Sequence, residues 1–141
     1  RSRRQRQMCI RDSTCTTHDI TVTVTPSYIE GQSDPESGRW AFAYRVEILN
    51  GSGEAMRLRS RYWHITDAMG RVQEVRGPGV VGEEPLLSPG DSFTYTSGCP
   101  LPTPSGFMRG HYIFERMDGS MLQVGIPPFS LDAPDELRTL N

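Results

Sequence analysis

Alternation of apolar and polar residues is the feature that most limits how this 141-residue chain can fold. Residues 40–50 alternate Trp, Phe, Tyr, Val and Ile with Ala, Arg and Glu, and residues 18–28 alternate Ile and Val with Thr. A period of two places every second side chain on one face of a β-strand. The longest apolar run, Trp40–Tyr44, has five residues and is far too short to span a membrane. We therefore expect strands with one buried face and no transmembrane helix.

Turn signals at regular spacing separate the predicted strands. Asn50-Gly51, Asp67–Gly70 and Asp118-Gly119 are combinations typical of tight turns. Prolines in residues 100–106 and 127–128 are expected to interrupt strand pairing. Seven to eight short strands without an amphipathic helix predict an all-β fold, a single antiparallel two-sheet sandwich of the immunoglobulin or fibronectin type III kind. A closed barrel is the alternative.

One predicted strand, over residues 56–67, contains a conflict of periodicity. Leu58 has the parity of a buried residue, whereas Trp63 and Ile65 have the opposite parity and also require burial. One extra residue between Leu58 and Trp63 would resolve the conflict, because it exchanges the two faces of the strand. The sequence thus predicts a β-bulge at this point.

The same strand carries a candidate basic face. Arg57, Arg59 and Arg61 occupy alternate positions, which predicts that they share one exposed face. Such a row suits a phosphate ladder or an acidic peptide. The alternative is a solvated face whose arginines pair with cross-strand acids such as Glu47.

The glycines of residues 77–82 have the spacing of a dinucleotide-binding loop. That motif binds pyrophosphate when a strand precedes it and a helix N-terminus follows. Here Glu83 and Glu84 follow, and their carboxylates would repel phosphate. We interpret Gly77, Gly79 and Gly82 as residues that permit a tight loop. A pyrophosphate-binding loop is the alternative.

Residues that would identify an enzyme or a metal protein are not recognisable. The chain has no lysine and no nucleophile–base motif of a known kind. His18, His64 and His111 lack the short spacing of metal ligands. We expect a protein that is not an enzyme and has neither a metal site nor a cofactor.

Charge is distributed unevenly along the chain, although the net charge is only −2. Five arginines and no acid occupy the first eleven residues, and the remainder is acidic in balance. We expect residues 1–16 to form a basic arm that is disordered or foreign to the natural protein, residues 17–132 to form the domain, and residues 133–141 to fray. An acidic body repels polyanions, so we expect no nucleic-acid binding by the folded part.

The cysteines give little indication of a cross-linked protein. Cys9, Cys15 and Cys99 are odd in number and match no common zinc spacing. We expect no disulfide framework, which favours a reducing cytoplasm.

Residues 77–98 resemble the signature of the bacterial ApaG family. Trp63–Asp67, Met108–Tyr112 and Val124–Leu131 are similar to further segments of that family, and the resemblance extends over about residues 17–132. It implies a fibronectin type III-like sandwich. It also implies an association with cobalt and magnesium tolerance, and a likeness to eukaryotic domains that bind other proteins.

The resemblance and the residues together predict a non-enzymatic, cytoplasmic module that binds an unknown protein partner. A role in cobalt and magnesium homeostasis would then be indirect. One alternative is binding of a diadenosine polyphosphate through the glycine loop. Another is binding of a divalent cation through Glu83, Glu84 and a histidine. The chain is expected to be a monomer or a weak homodimer and to have no contact with a membrane.

Overall fold

Two antiparallel β-sheets packed face to face form the protein in the computed structural model, which describes residues 8–10 and 14–134. Ten strands occur in this part of the chain: β1 (Met8–Ile10), β2 (Thr14–Thr17), β3 (Ile20–Tyr28), β4 (Trp40–Asn50), β5 (Met56–Asp67), β6 (Val72–Pro78), β7 (Leu86–Leu87), β8 (Ser92–Leu101), β9 (Ser105–Arg116) and β10 (Met121–Asp132). The first sheet has the order β1-β2-β3-β4-β8. The second has the order β10-β9-β5-β6, and β7 also pairs with β5. The predicted two-sheet sandwich is confirmed.

The core lies between the sheets and follows the alternation of the sequence. The residues of β4 that were predicted to face inward are all buried: Trp40, Phe42, Tyr44, Val46 and Ile48. The Tyr44 ring contacts the Trp63 ring of the opposite sheet, with centroids 5.1 Å apart. Aromatic side chains from both sheets therefore interlock near the middle of the sandwich.

The predicted bulge in β5 is confirmed. The register of β5 against β9 shifts between Leu58 and Ser60, so Arg59 is the extra residue. Leu58 and Trp63 are consequently both buried, although their parities differ. Because the shift comes before Arg61, the residues from Arg61 onward have exchanged faces.

The folded part begins earlier than residue 17, the predicted start of the domain. Strand β2 pairs with β3, and Cys15 is fully buried. Cys15 is also disulfide-bonded, contrary to the expectation of a chain without disulfides. The cysteine-based argument for a reducing compartment therefore loses its basis. Residues 1–7 and 11–13 of the predicted arm lie outside the described residues.

The C-terminal side of the domain also extends further than predicted. Ala133 is buried, and its amide donates to the Pro104 carbonyl oxygen at 2.8 Å. Strand β10 continues through Pro127 and Pro128, with a register shift between Ile126 and Phe129 that accommodates them. Most of the predicted frayed tail, residues 135–141, lies outside the described part. Among the residues that the structure describes, no helix is long and apolar enough to cross a membrane.

Candidate functional site

The glycine-rich loop that follows β6 closes into a tight turn. The Val80 amide donates to the Glu83 carbonyl oxygen at 2.8 Å, and the Glu83 amide donates back to the Val80 carbonyl oxygen at 2.8 Å. The two central residues, Val81 and Gly82, have φ angles of 41° and 83°. Both lie in the left-handed region, as a type I′ turn requires. Gly82 adopts this conformation readily, whereas it is unusual for a β-branched residue such as Val81.

Gly79 is required by a close approach of two backbone segments. Its φ is 58°, and an added Cβ would lie 2.1 Å from the Glu83 carbonyl oxygen. Its amide donates to the Arg59 carbonyl oxygen at 2.8 Å. Gly77 makes room for a side chain instead, because an added Cβ would lie 3.1 Å from the Arg61 guanidinium. These glycines therefore have structural roles in the loop, as the turn interpretation predicted.

Two arginines of β5 hold the segment that follows the turn. Arg59 Nη1 lies 2.7 Å from Glu84 Oε1, and Arg59 Nε lies 3.0 Å from Glu115 Oε1. Arg57 Nη1 donates to the Glu84 carbonyl oxygen at 2.7 Å. The fold thus brings the candidate loop and the candidate basic face together, and these two arginines are bonded to residues of the protein itself.

Arg61 lies apart from Arg57, on the other face of the sheet. In the pairing of β5 with β9, Arg57 is opposite Glu115, whereas Arg61 is opposite Tyr112, which is fully buried. The prediction that the three arginines share one exposed face is therefore wrong for Arg61. The reason is that the bulge at Arg59 precedes it and reverses the alternation.

A cavity of about 210 Å³ opens between β6 and β8, at the open side of the sandwich, and we call it the mouth pocket. Its walls are mainly apolar or aromatic and come from five strands: Tyr44, Trp63, Ile65, Val75, Cys99, Pro100 and Met108. The lining also includes Arg61, the single charged residue of the pocket in the described part of the chain. Sequence reasoning missed this pocket because its walls are distant in the chain and meet only through sheet packing.

Burial governs the ionisable groups near the mouth pocket. The Tyr95 and Tyr112 hydroxyl groups form a buried hydrogen bond of 2.5 Å across the sandwich. Burial raises the pKa of both phenols, and the positive charge of Arg61 partly opposes this. Burial also raises the pKa of the Cys99 thiol to about 11. A thiol with so high a pKa is protonated at neutral pH and is a poor nucleophile.

Strand β8 forms one edge of the first sheet and carries no charged residue. The direction of its free hydrogen-bonding groups follows from its neighbour β4. The amide and carbonyl groups of Ala41 in β4 bond to Ser33 and Ile29, on the side away from β8. Pro100, the residue of β8 that lies opposite Ala41, is therefore at a position without backbone hydrogen bonds to β4. Alternation then turns the amides of Thr94, Thr96 and Gly98 toward the open edge.

The outer face of the second sheet carries a stack of one guanidinium group and two polar rings. The Arg76 guanidinium lies 4.4 Å from the Tyr62 ring centroid, and the Tyr62 and His111 rings stack at 5.0 Å. The Tyr62 hydroxyl donates to Glu74 at 2.6 Å, which lowers the pKa of that carboxyl group. Among the residues described, no group of three or more His, Cys, Asp and Glu side chains is placed to hold a metal ion.

Comparison with known proteins shows the family to which this chain belongs. The family model of the ApaG domain matches residues 30–116. The chain belongs to the ApaG family. It is 59% identical to the ApaG protein of Rhizobium meliloti (strain 1021), over 89% of this chain and 96% of that protein. It is 58% identical to the ApaG protein of Brucella anthropi, with the same coverage of both chains.

A solved structure with a closely similar fold gives the same result. The crystal structure of a Bordetella pertussis protein described as ApaA superimposes with a TM-score of 0.81. The two sequences are 51% identical, and the match covers 85% of this chain and 98% of the other. The resemblance inferred from the sequence motifs is therefore confirmed as family membership.

Proposed function

We propose that this chain is a protein-binding module that accepts an extended segment of another protein beside β8. The supporting observation is the uncharged open edge of β8 next to an apolar pocket. Proteins commonly protect edge strands with charged residues, prolines or covering elements. Among the residues that the structure describes, β8 has only Pro100, near its end, and no strand lies beside its outer edge. Addition of a strand would satisfy the backbone groups of this edge.

The opposite sheet is also incompletely covered at this position. Strand β6 packs along β5 and makes no extensive contact with the first sheet. Its residues Gln73 and Val75 pair with Ile65 and Trp63 and so face inward, yet Gln73 is exposed and Val75 is only half-buried. A strand added to β8 would lie about 4.8 Å beyond it and would cover these two side chains. Sheet extension and pocket filling would then occur together.

The glycine loop has fewer free backbone amides for a nucleotide phosphate than its sequence motif indicates. The amides of Gly79, Val80 and Glu83 already donate to carbonyl groups of the protein. Glu83 and Glu84 place two carboxylates beside the turn. For these reasons we place the partner at β8, and we propose a binding role without catalysis. Any link to cobalt and magnesium homeostasis would be indirect, through the bound protein.

A photo-crosslinking experiment tests this proposal. A benzophenone amino acid in place of Thr96 should form a crosslink in cells, and mass spectrometry should map it to an extended segment of a defined protein. In the purified complex, hydrogen exchange at the amides of Thr94, Thr96 and Gly98 should slow, because they would donate to the added strand.

Two substitutions at one position provide the control. Thr96→Pro removes an amide that faces away from β4, and it should weaken binding at least about tenfold. Thr96→Ala keeps the amide and should bind normally. Binding that survives Thr96→Pro, or a complex in which these three amides exchange freely, would contradict the proposal. Crosslinks only between two copies of this chain would show self-association instead.

A further inference from the structure

Arg61 differs from the other arginines of β5 in its surroundings. It faces the inside of the sandwich, opposite the buried Tyr112, and its guanidinium lies over Gly77. Within the part of the chain that the structure describes, no carboxylate forms an ion pair with it, whereas Arg59 contacts two. A charged side chain on an inner face normally has a partner of opposite charge. Arg61 therefore lies at the mouth pocket with unused capacity for an anion.

The hydrogen bonds of Arg61 leave part of its guanidinium available. Nη1 donates to the carbonyl oxygens of Pro78 and Gly79, at 3.0 and 2.9 Å. These two bonds fix the position of the group at the end of β6. A guanidinium has five N–H donors, so Nη2 and Nε keep donors for an external acceptor. The group is thus held in place before a ligand arrives.

We infer that the protein segment bound beside β8 inserts a Glu or Asp side chain into the mouth pocket, where its carboxylate pairs with Arg61. This inference rests on the proposed function, because it describes the segment that would occupy that position. Apolar residues two positions before and after the acid would face the same way and cover Val75 and the neighbouring pocket wall.

The surroundings of the pocket favour a carboxylate over a neutral side chain. Among the described residues, the lining contains one cation and no anion. Water is partly excluded by aromatic and aliphatic walls, which strengthens a charge-assisted hydrogen bond. The Arg61 fork matches the geometry of a carboxylate, which can accept two parallel bonds. The ion pair would therefore contribute specificity as well as affinity.

Two synthetic peptides that differ in one group test this inference. The probes are the capped nonapeptides STVTETVTS and STVTQTVTS, in which the central acid or amide and its flanking valines share a face. Binding is followed by NMR through the backbone amides of Thr94, Thr96 and Gly98 in the full chain at low salt. The peptide with Glu should bind about tenfold more tightly than the peptide with Gln. This difference should shrink in 0.5 M salt because the charges are partly exposed.

Variants of the protein assign the preference to one side chain. Arg61→Gln should remove the preference for the Glu peptide. The control Arg76→Gln removes the same charge from the outer face of the same sheet and should leave the preference intact. Arg61→Lys keeps the charge without the planar fork and should retain a reduced preference. The Arg61→Lys variant keeps the test decisive if Arg61→Gln loosens the loop at Pro78 and Gly79.

The outcomes separate this inference from the proposed function. Equal binding of both peptides at the β8 amides would overturn the inference and leave strand addition standing. A preference for Glu that persists in Arg61→Gln would also overturn it. If neither peptide at millimolar concentration shifts these amides, then both the proposed function and the inference are wrong.

Discussion

The glycine-rich loop and the edge of β8 lie on the same side of the sandwich, but their hydrogen-bonding groups are used very differently. In the loop, the amides of Gly79, Val80 and Glu83 all bond to carbonyl groups of the protein. On β8, the amides of Thr94, Thr96 and Gly98 face away from β4, the one strand among the described residues that pairs with it. The loop is conspicuous in sequence and the strand is not. The comparison teaches that unused bonding capacity is a better sign of a binding surface than a familiar motif.

The arginines of β5 repeat the contrast within a single strand. Arg59 bridges Glu84 and Glu115, so its charge is balanced inside the protein. Arg61, two residues later, bonds to backbone carbonyl groups and has no carboxylate partner among the described residues. Position relative to the bulge, rather than residue type, decides which arginine is available.

The largest expected effect separates two glycines of the loop. Gly79→Ala should lower the free energy of unfolding by about 3 kcal/mol, because the new Cβ would clash with the Glu83 carbonyl oxygen in a left-handed conformation. Gly82→Ala should cost only about 1 kcal/mol, since its left-handed φ has open space around it. Urea denaturation of both variants measures the difference. Equal losses would show that the close approach at Gly79 does not constrain the loop.

A smaller effect is expected where β8 is anchored to the opposite sheet. Tyr95→Phe should lower the free energy of unfolding by about 1–2 kcal/mol, because it leaves the buried Tyr112 hydroxyl group without its partner. The double variant with Tyr112→Phe should cost less than the sum of the two single variants, since no unpaired hydroxyl group remains. Thermal unfolding of the three variants checks this. Strict additivity would indicate that the hydroxyl groups do not act as a pair.

The smallest effect is expected at the exposed ion pairs of the loop. Arg59→Gln should lower the free energy of unfolding by about 0.5 kcal/mol at low salt, because both of its carboxylate partners are partly exposed. The loss should vanish in 1 M NaCl, where exposed charges are screened. Urea titrations at two salt concentrations measure it. A loss that is independent of salt would point to packing of the side chain rather than to its charge.

Local periodicity was sufficient to predict most of the architecture. The stretch Trp40–Asn50 is a strand with the predicted inward set, and the bulge in β5 lies where the two parities conflict. The Asp118-Gly119 hairpin joins β9 to β10 as expected. These features were readable because burial of one face fixes the alternation along each strand. Turn chemistry rather than periodicity predicts that no helix follows the glycine loop, because Pro85 disfavours a helical residue before it, and the structure has none there.

Features that depend on distant segments could not be predicted in the same way. The mouth pocket joins residues of β4, β5, β6, β8 and β9, and no local pattern indicates that they meet. The sequence prediction places residues 14–16 of β2 in the basic arm, whereas the burial of Cys15 depends on pairing with β3, which no local pattern indicates. The inward position of Arg61 required knowing on which side of it the bulge falls. One residue of uncertainty in the bulge is enough to reverse that assignment.

The bulge at Arg59 also makes the mouth pocket sensitive to chain length. Deletion of Arg59 itself would restore an unbroken ladder between β5 and β9 and would leave Arg61 and Trp63 on the inner face, because Ser60 already pairs with Ile113. Deletion of Tyr62 would also remove the extra residue, but Arg61 would then be adjacent to Trp63 and would turn outward beside Arg57. Within the family, a single-residue deletion between Arg61 and Trp63 would therefore remove the cation of the pocket without any change of arginine content.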